Sequence, residues 1–153
     1  EEAFVNMMNR RAQELMANGT HFMNPHGLHD DNHYTTAYDL YLIFNECIKH
    51  EDFVNIIQSE AYTAYYTDVD GNSQEALFTP TNLYAQGEVD VPENVTIVGG
   101  KTGTTDEAGY CLILMEKDSS DNPYISIVMG ASEKPVLYED MTSLIEAIPS
   151  GQQ

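Results

Sequence analysis

The 153-residue sequence predicts a single α+β domain built around an antiparallel sheet. Three observations lead there. Apolar residues recur at helical spacing in the first third of the chain and again near its end, so helices come first and last. Between them lie two pairs of β-rich runs, each pair joined by a short stretch of Asp, Asn, Ser and Gly or Pro. The 42% hydrophobic content and ten tyrosines supply enough apolar surface for a core, and a chain of this length buries roughly 68–70% of its unfolded surface.

Phe4, Met8, Ala12, Leu15 and Met16 follow the helical period, and Asn18-Gly19 is a stop, which predicts an amphipathic helix over 2–18. Residues 20–33 are polar, contain Pro25, Gly27 and four of the five histidines, and read as a loop. Thr36 and Asp39 have capping-box spacing, and Leu40, Ile43, Phe44, Cys47 and Ile48 continue as a helix. A shorter helix follows over 52–57. Residues 61–69 are rich in Tyr and Thr and turn through Asp68-Val69-Asp70-Gly71-Asn72, so 73–79 return as a hairpin partner. Cys111–Met115 and Tyr124–Met129 are two further strands, adjacent and antiparallel, joined by Asp118 to Pro123. Leu137, Met141, Leu144, Ile145 and Ile148 mark a last helix, closed by Pro149 and Gly151.

The charge balance removes some functions. With 25 acidic and 6 basic residues the net charge is −19, and so few scattered cations cannot displace counterions from a polyanion. Nucleic acid and anionic membrane surfaces are poor partners. No run reaches the roughly 20 apolar residues of a membrane span. Cys47 and Cys111 are too few for a disulfide scaffold; pairing in an oxidising compartment stays open, and two buried free thiols are the plainer reading. The chain opens on Glu1-Glu2-Ala3-Phe4-Val5, with no initiator Met and no signal-peptide pattern, as if cut from something longer.

Val98-Gly99-Gly100-Lys101-Thr102-Gly103-Thr104-Thr105 is the most informative segment. A phosphate-binding P-loop fails here, because the required first Gly is Val95 and the segment leads into a strand rather than a helix. A Lys-Thr-Gly strand at a sheet edge explains it better. An ammonium and a hydroxyl together hold a carboxylate, a Gly without Cβ lets another backbone come close, and an extended peptide can add to the edge.

Lys101 to Leu112 closely resembles the corresponding stretch of low-molecular-mass penicillin-binding proteins, the serine-type D-alanyl-D-alanine carboxypeptidases. Phe4-Val5-x-x-Met8-Asn9, Thr20-x-Phe22-x-Asn24-Pro25-His26-Gly27-Leu28 and His33-Tyr34-Thr35-Thr36-Ala37-x-Asp39-Leu40 resemble the same family, in the same order. The resemblance implies part of the β-lactamase/penicillin-binding transpeptidase-like fold, an antiparallel sheet packed with helices. It implies an acyl-enzyme reaction on the D-Ala-D-Ala end of peptidoglycan stem peptides, acylation by β-lactams, no cofactor, and a location outside the cytoplasmic membrane in the bacterial envelope. By the same resemblance Lys101 supplies the positive field and is available for proton transfer, and Thr102 binds the substrate carboxylate. Gly103 permits close approach, and the Thr104 N–H gives half of an oxyanion hole. Thr105 and His26 fall among the substrate-side residues, although a structural loop histidine is the plainer reading of His26.

The departures are as informative. None of the eight serines has a Lys three positions later, so the Ser-x-x-Lys nucleophile motif is absent. The one Ser-x-Asn match, Ser120-Asp121-Asn122, follows Lys101 in a polar turn and reads as chance. Residues 1–153 are thus expected to be the C-terminal half of a catalytic domain, inactive alone. A sheet edge left bare by the missing half invites self-association. The alternatives are a nucleophile-less peptide-binding module and a β-lactamase relative. The arginine that some family members place before the Lys-Thr-Gly strand is missing, since Arg10 and Arg11 lie in the first helix; Thr79-Pro80-Thr81-Asn82-Leu83 occupies that region.

Three further patterns are weaker. His26, His29, Asp30 and His33 match no familiar zinc spacing. Asp68-x-Asp70-Gly71 lacks the flanking carboxylates of a calcium loop and reads as a turn. Asn18-Gly19-Thr20 and Asn94-Val95-Thr96 are glycosylation sequons by pattern only.

Overall fold

The computed structural model describes residues 1–150; Gly151, expected to help close the last helix, lies outside the described residues. The first helix, α1, spans Glu2–Glu14 and stops short of Asn18. Met16 takes a left-handed φ of 65°, its N–H bonds to the Gln13 carbonyl, and the N–H of Ala17 bonds to that of Ala12. This is a Schellman closure with Met where Gly is usual, and it drops the buried Ala17 onto the buried Ala12. Val5 and Ala12 are the buried residues of α1, while Phe4 and Met16 face solvent.

The 20–33 segment is a loop with a defined course. Asn9 on α1 clamps it, donating Nδ2 to the Phe22 carbonyl and accepting the Phe22 N–H on Oδ1, both at 2.8 Å. The buried Asn24 holds a turn by accepting from the Gly27 N–H and donating to the Leu28 carbonyl. The helix α2, Ala37–Cys47, starts as expected: the Thr36 hydroxyl accepts the Asp39 N–H. Thr20 donates to the buried Asp39 carboxylate and so ties the loop to this cap. Then come α3 (Glu51–Ile57) and a hairpin of β1 (Tyr62–Thr67) and β2 (Ser73–Phe78).

One four-residue helix, α4 (Leu83–Gln86), was not legible in the sequence. The buried Asn82 caps it by accepting the Tyr84 N–H. The main sheet has the order β3 (Val95–Thr105), β4 (Gly109–Asp118), β5 (Pro123–Ala131), all antiparallel, and α5 (Lys134–Glu146) lies against it. Leu112, Leu114 and Glu116 alternate on the β4 face turned to α5. Leu112 and Leu114 pack with Leu137, Tyr138, Met141, Ile145 and Ile148 and with Tyr84 from α4. Each such apolar side chain contributes about 1.5–3 kcal/mol by leaving water. Of the helical residues expected to mark α5, Leu144 is the one that faces solvent.

The two hairpin turns are the same device. In each, an Asp (68 or 118) accepts N–H bonds from the residues two and four places on, while its own N–H bonds to the carbonyl of Asn72 or Asn122. The fourth position is left-handed in both, Gly71 at φ 85° and Asp121 at φ 67°. The Asp68 carboxylate is thereby occupied in a turn, as expected. Ser120-Asp121-Asn122 likewise belongs to a turn, beyond the Val95–Asp118 end of the ladder and about 20 Å along β3 from Lys101.

Candidate active-site groove

Lys101, Thr102 and Gly103 lie on β3, the edge strand of the main sheet. The pleat sends successive side chains to opposite faces, so Thr102 shares the α5 face with its partner Leu112, and Lys101 the other face with Ile113. Two glycines just upstream shape this edge. The ladder is irregular between Ile97 and Gly99, and a Cβ on Gly99 would sit 2.2 Å from the Ile57 carbonyl oxygen. The end of α3 therefore closes directly on the strand. At Gly100 a Cβ would meet the Ile113 carbonyl at 2.1 Å.

A groove of about 760 Å³ runs along this edge. Ile56 and Ile57 of α3, Tyr62 and Phe78 at the base of the hairpin, and the 79–82 segment form its walls, with Gly100, Lys101 and Thr102 along the strand. Among the described residues Lys101 is the one charged side chain lining it, in a chain that carries 25 carboxylates elsewhere. The groove thus offers an apolar and hydroxyl-bearing channel with a single cation, a surface suited to a ligand with one terminal anion. Lys101 is exposed and its Nζ donates to the Thr102 carbonyl. The Thr102 hydroxyl lies 2.5 Å from that of Thr81. A separate cleft of about 620 Å³, between α5 and Leu83–Val89, is lined by both Lys134 and Glu139 and so does not present a lone cation.

The other expected site residues distribute as follows. A Cβ on Gly103 would meet nothing within 4 Å, so the space beside it is open. Thr104 is exposed, while the Thr105 hydroxyl accepts the Ala108 N–H across the β3–β4 turn and does not line the groove. His26 also lies outside the groove lining, with Nδ1 accepting the Leu28 N–H and Nε2 at 3.5 Å from the Glu1 carboxylate. His29, 3.7 Å from Glu107, brings the 20–33 loop beside the β3–β4 turn. Among the described residues no group of three His, Cys, Asp or Glu is gathered to hold a metal. Cys47 and Cys111 are free thiols, half-buried rather than fully buried, and burial pushes the Cys47 thiol up.

Sequence reasoning missed the aromatic and aliphatic wall, because hairpin residues such as Tyr62 and Phe78 carry no local signal for what they face. It also left Thr81 without a role. Asn94 likewise proves structural: its Nδ2 donates to the Ile145 and Ile148 carbonyls, closing the C-terminal end of α5.

The family model described as D-alanyl-D-alanine carboxypeptidase matches residues 1–133. This chain belongs to that family. Its relatives include D-alanyl-D-alanine carboxypeptidase DacF of Bacillus subtilis, 31% identical over 146 residues that make up 95% of this chain and 35% of DacF. DacA of Haemophilus influenzae is 31% identical over 127 residues, 83% of this chain and 29% of DacA. Among solved structures, a Streptomyces DD-transpeptidase superposes with a TM-score of 0.83 at 25% identity, over 95% of this chain and 53% of that one. The α+β, penicillin-binding type of fold expected for the family is therefore the fold found. The chain spans about a third of the length of the curated relatives it matches, and about half of the solved neighbour.

Proposed function

We propose that this chain is the Lys-Thr-Gly half of a serine DD-peptidase catalytic domain. The longer protein would cleave the terminal D-Ala-D-Ala bond of peptidoglycan stem peptides. The observation that carries the reading is the groove along β3, where Lys101 is the single charged lining residue among those described, in a strongly acidic chain. A C-terminal carboxylate fits there, held by the Lys101 ammonium and the Thr102 hydroxyl. The peptide backbone lies beside Gly103, where space is open. The Thr104 N–H then faces the developing oxyanion as one of two donors. Thr105 and His26 act at most through the loops they stitch.

The nucleophile comes from outside these 153 residues, as none of their serines heads a Ser-x-x-Lys motif. Its Oγ attacks the penultimate D-Ala carbonyl, D-Ala leaves with the transferred proton, and water releases the acyl group. With a penicillin the lactam C–N bond opens and the whole molecule stays attached. The chain alone does not turn over. The site faces the extracytoplasmic side of the cell envelope, where peptidoglycan lies, and a bare sheet edge favours self-association of the isolated chain.

Intact mass after incubation with a penicillin tests the reading. The protein translated from its natural start gains one penicillin mass, and the 153-residue chain gains none. If neither gains mass, the serine-enzyme reading fails and a peptide-binding module takes its place.

A further inference from the structure

Resting on that reading, we infer that Thr81 is a substrate-positioning residue, which orients the Thr102 hydroxyl toward the ligand's terminal carboxylate. The two hydroxyl oxygens are 2.5 Å apart, a hydrogen bond in which one of the two protons is consumed. A carboxylate only accepts, so the proton left over from this bond is the one available to it. With Thr81 donating to Thr102, the Thr102 O–H is committed outward and polarised by the bond it accepts.

Thr81 is placed for this by its neighbours rather than by its own packing. Asn82 beside it is 5% exposed and caps α4, and the Leu83 N–H donates to the Tyr138 hydroxyl on α5. The Pro80 carbonyl on its other side accepts from Gln86. Thr81 therefore projects from a segment fixed on both flanks, and reaching Thr102 costs little further ordering. Among the described residues no guanidinium shares the role: Arg11 is engaged by Glu14 and Glu46 on the surface of α1 and α2, and neither Arg10 nor Arg11 lines the groove. The described residues thus bring to the carboxylate end one cation and a relay of two neutral hydroxyls.

The test uses the protein from its natural start, as wild type, T81V and T81S. The probes are an N-acylated L-Lys-D-Ala-D-Ala tripeptide, the same tripeptide as its C-terminal amide, and a penicillin. T81V keeps the shape and loses the hydroxyl. It should raise KM for the free-acid tripeptide roughly 3- to 10-fold, the worth of one hydrogen bond, with kcat little changed. Discrimination between acid and amide should narrow by the same factor, and T81S should restore both. Equal KM and equal acid preference in wild type and T81V would overturn the positioning role while leaving the enzyme reading intact. So would a defect that T81S fails to rescue. A wild type that neither hydrolyses the tripeptide nor takes up penicillin overturns the enzyme reading and the inference with it.

Discussion

Glu116 is the residue whose replacement tests the core most severely. It is 0% exposed on the α5 face of β4, and neither carboxylate oxygen has a hydrogen-bond partner. Burial pushes its carboxyl from 4.5 up to about 7, the polar groups of Ser126 and its own backbone pulling the other way. A folded-state value above the unfolded one means that the native protein keeps a proton the unfolded chain releases. The resulting stability is fully present below about pH 4.5, falls as pH rises, and is lost once pH has passed about 7. Across that window the native state loses about 3 kcal/mol relative to an uncharged side chain of the same shape. Glu116→Gln is that side chain. The variant should match wild type to within about 1 kcal/mol near pH 5, and exceed it by about 3 kcal/mol near pH 8.5. Urea unfolding followed by tyrosine fluorescence measures this directly, since the chain has ten Tyr and no Trp. A difference that stays constant between those two pH values would refute a buried, unpartnered carboxyl at this position.

Gly99 and Gly103 should separate folding from binding. Gly99→Ala drives a Cβ into the Ile57 carbonyl and should lower Tm by several degrees, whereas Gly103→Ala meets open space, so Tm should hold while penicillin uptake by the longer protein falls at least about tenfold. Thermal melts and adduct formation on the two variants check this together. Asn94→Ala removes both bonds to the Ile145 and Ile148 carbonyls and should cost about 1–3 kcal/mol in urea unfolding. Met16→Gly relieves a left-handed residue whose side chain is mostly exposed and should gain about 1 kcal/mol in the same assay.

Much of the architecture was legible because the local signals agreed with the packing. The Thr36–Asp39 cap, the Tyr/Thr-rich hairpin and the two core strands are read from spacing that depends on neighbours within a few residues. The α1 terminus was misread because Asn18-Gly19 is the stronger local stop, whereas the chain closes at Met16 in a left-handed conformation that favours Gly and that no pattern assigns to Met. The candidate site divides in the same way. Lys101, Thr102 and Gly103 stand together in the sequence and on β3, and Lys101 and Thr102 line the groove. Thr81 and Phe78 reach that edge only through α4, α5 and the hairpin, contacts between residues far apart in the chain. The Asn94 sequon is a third case, since its side-chain amide is spent on helix carbonyls some fifty residues away.

The twin turns bear on the order in which the sheet assembles. In each, one carboxylate gathers N–H groups from within its own five residues, so the loop closes without help from any distant part of the chain. Short closures of this kind form in microseconds, long before contacts of high sequence separation. The β4–β5 hairpin can therefore offer α5 a ready face of Leu112, Leu114 and Val128, while the groove edge on β3 waits for α3 and the 79–82 segment to arrive. The groove edge is on this account completed after the β4–β5 hairpin rather than with it.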